Sequence, residues 1–102
     1  MKETGTDRFG NSIYLTDERW EHILDLHFEM EGYRDRVLET LRQGTRKQDA
    51  LDTNKHKYSQ FYDDLADDFN TVVVVVKFGQ ADDGSANNFV LTAYQVYDYK
   101  VK

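Results

Sequence analysis

Val72-Val73-Val74-Val75-Val76-Lys77-Phe78 is the stretch that decides the architecture. Consecutive β-branched side chains lose rotamer freedom in a helix and fit a pleated surface. Apolar residues at both odd and even positions predict a strand covered at least in part on both faces. The run therefore reads as the centre of a sheet. Beyond a Gly- and Asp-rich loop over 79–88, Phe89 to Tyr97 reads as the last strand, with Val90, Thr92, Tyr94 and Val96 on one face and Phe89, Leu91 and Ala93 on the other. On the N-terminal side, His56 to Tyr62 alternates His56, Tyr58, Gln60 and Tyr62 against Lys57, Ser59 and Phe61, so Tyr58 and Tyr62 are expected to share a face. The polar segment Arg46 to Leu51 reads as an edge strand.

Before Gly44 the spacing is helical. Thr16 is a suitable N-cap, and Asp17 and Glu18 place carboxylates in the first turn, where they interact favourably with unpaired amides. At about 100° per residue, Trp20, Ile23, Leu24 and His27 form one stripe of this helix, while His22 points to the opposite side beside Leu26. After Gly32, Tyr33, Val37 and Leu41 recur at helical spacing, and Gly44 supplies a stop. Ahead of both helices, Gly10-Asn11 suits a tight turn with positive φ. The predicted fold is α+β: two N-terminal helices packed on a four-stranded antiparallel sheet, with a short N-terminal hairpin.

The 102 residues fit a single domain, 1–102, and 14% aromatic content supplies buried area despite a charged fraction of 31%. With no cysteine there are no disulfides, thiolate metal sites or cysteine nucleophiles. No apolar run is long enough to span a bilayer and Met1-Lys2-Glu3-Thr4 lacks the apolar segment of a signal peptide, so a cytoplasmic location without membrane association is expected. The formal charge of -6 opposes nonspecific attraction to nucleic acid, which depends on Lys and Arg neutralising phosphates. The charge is uneven. Arg42, Arg46, Lys47, Lys55 and Lys57 outnumber Asp49 and Asp52 in one strip, while acids gather in the first helix and in the loop over 63–68.

His27 stands out chemically because imidazole titrates near neutral pH and is the commonest general acid or base, although a histidine on an apolar stripe is ordinarily a packed one. His22, on the outer helix face, serves a site only if that helix borders a cleft, and His56 falls within the basic strip. Tyr58, Tyr62 and Tyr94 occupy strand positions from which a phenol can face a cleft, though strand tyrosines usually pack, and Thr92 alone is an ordinary strand residue. Asp82-Asp83-Gly84-Ser85 lacks the spacing and terminal glutamate of a calcium loop, and no HExxH is present. No metal and no cofactor are expected.

Ile13-Tyr14-Leu15-Thr16-Asp17-Glu18-Arg19-Trp20-Glu21-His22-Ile23-Leu24-Asp25-Leu26-His27, followed by Tyr58, Lys77 and Phe89-Val90-Leu91-Thr92-Ala93-Tyr94, resembles the barnase–EndoU–colicin–RelE group of metal-independent ribonucleases, particularly its small phage and prokaryotic members. The likeness extends from about Phe9 to Tyr97. It implies an endoribonuclease that cleaves RNA by 2′-hydroxyl attack to leave a 2′,3′-cyclic phosphate. His27 would be base or acid, His22 a second proton carrier or orienter, and Thr92 with Tyr94 phosphate-facing donors. Lys57 or Lys77 would supply the cation, and Arg46 and Tyr58 would contact substrate. It also implies a toxin module whose antitoxin protein masks the basic strip. The alternative is a catalytically inactive RelE-like protein-interaction module, and the polar edge near Arg46 to Leu51 also permits a homodimer.

Overall fold

In the computed structural model, which describes residues 2–100, the chain runs β1 (Lys2–Thr6), β2 (Ser12–Thr16), α1 (Asp17–Leu26), a 3-10 turn (Phe28–Met30), α2 (Arg34–Gln43), β3 (Thr45–Gln48), β4 (Lys55–Phe61), β5 (Thr71–Lys77) and β6 (Asn88–Val96). The strands make one six-stranded sheet in the order β1-β2-β6-β5-β4-β3. This corrects the expected four-stranded antiparallel sheet. The N-terminal hairpin adds both of its strands to the sheet, and β2 meets β6 in parallel, with Ile13 opposite Asn88 and Tyr14 opposite Phe89. Neither feature leaves a sequence pattern. β1 is Lys-Glu-Thr-Gly-Thr, without an apolar alternation, and the parallel join is two residue pairs long. Side chains far apart in sequence hold that join: Tyr14 Oη donates to Asn87 Oδ1 at 2.8 Å and Asn88 Nδ2 to the Ser12 carbonyl at 3.1 Å.

Local chemistry sets the helix ends. Thr16 Oγ1 accepts from the Arg19 amide at 3.0 Å, satisfying one orphan donor of α1. At the end of α2, a Cβ on Gly44 would lie 2.5 Å from the Thr40 carbonyl oxygen and 2.7 Å from that of Ser59, so the chain passes into β3 at a distance only glycine allows. Val72, Val74 and Val76 are fully buried with Ile13, Leu15, Val90, Ala93, Tyr58 and Tyr62 beneath Ile23, Met30, Val37 and Leu41. Tyr58 and Tyr62 do share this core face. The buried side chains of both helices join this one cluster, leaving the opposite face, with Val75, Lys77, Lys57 and Ser59, without a helical layer among the described residues.

A bulge corrects the expected faces of β6. Val76 pairs with Val90 but Val75 pairs with Thr92, so Leu91 is the extra residue and Val90 turns to the core while Phe89, Thr92, Tyr94 and Val96 share the open face. The two edges of the sheet also approach each other over the core. Asp7, just after edge strand β1, is buried and accepts from Tyr58 Oη of β4 at 2.5 Å, from the Phe9 and Asn11 amides at 2.9 and 2.8 Å, and from Asn11 Nδ2 at 3.0 Å. Burial alone raises the pKa of this carboxyl, but the hydrogen bonds from Tyr58 and Asn11 outweigh it and hold the group below the usual carboxylate range. Burial and the bond to Asp7 push the Tyr58 phenol well above its ordinary value, so it remains a donor.

Candidate functional site

The residues singled out by sequence fall into two groups on opposite faces of the sheet. On the open face, Thr92 and Tyr94 point the same way from β6. α1 ends beside this strand, and His27, its C-cap residue, brings its ring to 5.4 Å from that of Tyr94, centroid to centroid. The 3-10 turn fixes this meeting. Gln95 donates its backbone amide to Glu29 Oε2 at 3.3 Å and its side-chain amide to the Glu29 carbonyl at 2.8 Å, which ties the turn to the edge of β6 that faces away from β5, where pairing with β2 has ended. The same Glu29 Oε2 stands 3.7 Å from His27 Nδ1, an ion pair when the imidazole is protonated. Glu29 was not legible as a site residue, because only the turn after α1 aims it at both partners.

Thr92 Oγ1 is buried and has no hydrogen-bond partner among the described residues. An unsatisfied buried hydroxyl is destabilising by about 1–3 kcal/mol, and a ligand oxygen admitted beside it would recover that. Thr92→Val, nearly isosteric, is therefore expected to leave the free protein unchanged or to stabilise it by about 1 kcal/mol while weakening any activity that uses the hydroxyl. Chemical denaturation of the variant, read beside its activity, checks this.

His22 is exposed on α1 and borders a cleft with Thr16, Glu18 and Arg19, away from the contact between His27 and Tyr94. Lys57 lies on the open face directly opposite Lys47, and Lys77 directly opposite Lys55. Like charges facing each other across strands repel. Asp52 relieves one pair through a 2.5 Å contact to Lys77 Nζ, and that hydrogen bond is the largest cause of its lowered pKa, so Lys77 is already engaged. Lys47, Lys55 and Lys57 make no ion pair among the described residues.

Arg46 and Tyr58 belong to the other face. Tyr58 is fully buried against Asp7, and the Arg46 guanidinium lies 3.9 Å from Asp7 Oδ2 and 4.0 Å from the Phe9 ring centroid. His56 joins them, edge-on to Phe78 at 4.8 Å, and burial with Arg46 nearby lowers its pKa, which favours the neutral ring. These three residues form a packed polar cluster inside the curl of the sheet and are not brought to His27. No cluster of three His, Asp or Glu side chains suited to a metal ion occurs among the described residues, and no helix there is long and apolar enough to cross a membrane. No family model, no curated protein and no solved structure matches the chain.

Proposed function

We propose that the protein is a metal-independent endoribonuclease whose chemistry takes place at His27 and Tyr94 on the open face of the sheet. The observation that carries this is the meeting of an imidazole backed by Glu29 with a strand phenol, beside an unsatisfied threonine hydroxyl, on a face that also presents lysines. His27 takes the proton of a 2′-hydroxyl, the freed oxygen bonds to the adjacent phosphorus, the bond to the 5′-oxygen breaks, and an acid protonates that leaving oxygen. Tyr94 stands close enough to His27 to serve the same phosphate as donor. Glu29 stabilises the imidazolium formed in the first step, because the charge develops in a partly desolvated position beside a fixed carboxylate. Lys57 and Lys47 supply positive potential along the strand of RNA.

Leu26 and Phe28, 71% and 73% exposed on either side of His27, favour the alternative of an inactive RelE-like module that binds a protein here. On the ribonuclease reading, an antitoxin-like partner covering them would mask His27 in the complex. The deciding experiment is incubation of labelled single-stranded RNA with the purified protein in excess EDTA, followed by analysis of the ends. Products ending in 2′,3′-cyclic phosphate are expected; RNA left intact, alone and on ribosomes, would leave the interaction module.

A further inference from the structure

We infer that the cleft where β2 and β6 part is a nucleotide pocket, holding one base against Tyr14 and Phe89 and its phosphate on Arg19. The cleft arises from the short parallel join: β2 stops at Thr16 and the chain turns into α1, so beyond Phe89 β6 keeps β5 on one side and has no strand on the other. The space left is about 230 Å³, lined by Tyr14, Thr16, Arg19, Phe89 and Val90. The Tyr14 and Phe89 rings stand 6.1 Å apart at 38°, and Lys2 Nζ lies 4.6 Å from the Tyr14 ring centroid. Flat aromatic walls accept any base, since every base has a π-face.

Arg19 adds the anion specificity. Its guanidinium makes no hydrogen bond or ion pair with any described residue, although acids outnumber bases 19 to 13 in the chain. Arg34 and Arg36, by contrast, both engage carboxylates. A planar, unpaired guanidinium beside an aromatic cleft matches a phosphate bidentately. Arg19 and Thr16 also line the adjoining cleft of about 430 Å³ with His22 and Glu18. The Glu18 carboxylate there repels a phosphate, keeping it on the Tyr14 side of Arg19.

The pocket deepens the ribonuclease reading. Phe89 and Tyr94 share the open face of β6, and at roughly 3.3 Å per residue the pocket lies on the order of 15 Å from the contact of His27 with Tyr94, so it would grip a nucleotide of the same RNA away from the cut bond. Its test needs no cleavage. Adenosine 3′-monophosphate, uridine 3′-monophosphate, the two nucleosides and inorganic phosphate are titrated separately into the full chain, with amide and side-chain shifts followed by NMR. At least one nucleotide is expected to bind about 10-fold tighter than its nucleoside or phosphate alone, with shifts centred on Tyr14, Arg19 and Phe89. Arg19→Gln is expected to remove that advantage without changing the melting temperature, and Phe89→Leu to weaken nucleotide and nucleoside alike. Phosphate binding as tightly as the nucleotides, shifts centred elsewhere, or an unaffected Arg19→Gln would each overturn the pocket. Nucleotide binding kept in His27→Ala, with no RNA cut by the unaltered protein, would sink the ribonuclease reading and leave the pocket standing; cleavage without nucleotide binding would do the reverse.

Discussion

His27→Ala is expected to lower RNA cleavage by about 10²- to 10⁴-fold, the range that one positioned proton-transfer group contributes. The loss should appear without unfolding, because the His27 side chain is 34% exposed and its ring meets Tyr94 rather than the buried core. Its capping contact to Ile23 is made by the backbone amide, which alanine keeps. Cleavage rates of the variant, beside its circular dichroism and thermal unfolding, check both halves. A variant with normal melting and undiminished cleavage would remove His27 from the chemistry.

Asp7→Ala is expected to have the largest effect on stability, about 3–5 kcal/mol, a substantial share of the roughly 5–15 kcal/mol that holds a domain of this size. The substitution leaves the buried Tyr58 hydroxyl and the Asn11 amides without their acceptor and releases the contacts that tie the end of β1 to Tyr58 of β4 and Arg46 of β3. Tyr58→Phe keeps the aromatic packing and the remaining donors to Asp7, so its expected loss is smaller, about 1–3 kcal/mol. Urea titration of the two variants beside the unaltered protein gives the order. The pH dependence has a definite sign. Because the folded-state pKa of Asp7 is depressed, its contribution is fully present above the unfolded value of about 3.9 and is lost as pH falls through the lower folded value. Asp49, Asp52 and Asp83 shift the same way, but from loops where water screens them, so the difference in acid stability between the unaltered protein and Asp7→Ala isolates the buried carboxylate.

What could be read from residue order and what could not divide along the range of the forces involved. The valine run, the Thr16 cap, the stop at Gly44 and the shared face of Tyr58 and Tyr62 all follow from neighbours within a few positions, and each lies in the structure where such neighbours place it. The parallel join of β2 to β6 depends on Tyr14 finding Asn87 and on Asn88 finding Ser12, partners with no mark in the intervening chain. Leu91 looks like any strand residue, yet as a bulge it reverses the face of Val90 relative to Thr92. The two candidate substrate residues Arg46 and Tyr58 show the same limit. Alternation put Tyr58 with Tyr62, but only the curl of the sheet and the buried Asp7 show that this is the inner face. Arg19, in contrast, is marked by a guanidinium without partners among the described residues, which sequence cannot display.

The most direct measurement compares two oligonucleotides of one sequence, one all-ribose and one all-deoxyribose, each incubated with the purified protein in excess EDTA. Attack by the 2′-hydroxyl requires that the ribose strand be cut to cyclic phosphate ends and the deoxyribose strand survive. Equal cutting of both strands, or of neither even when ribosomes are supplied, would contradict a metal-independent ribonuclease at His27 and Tyr94.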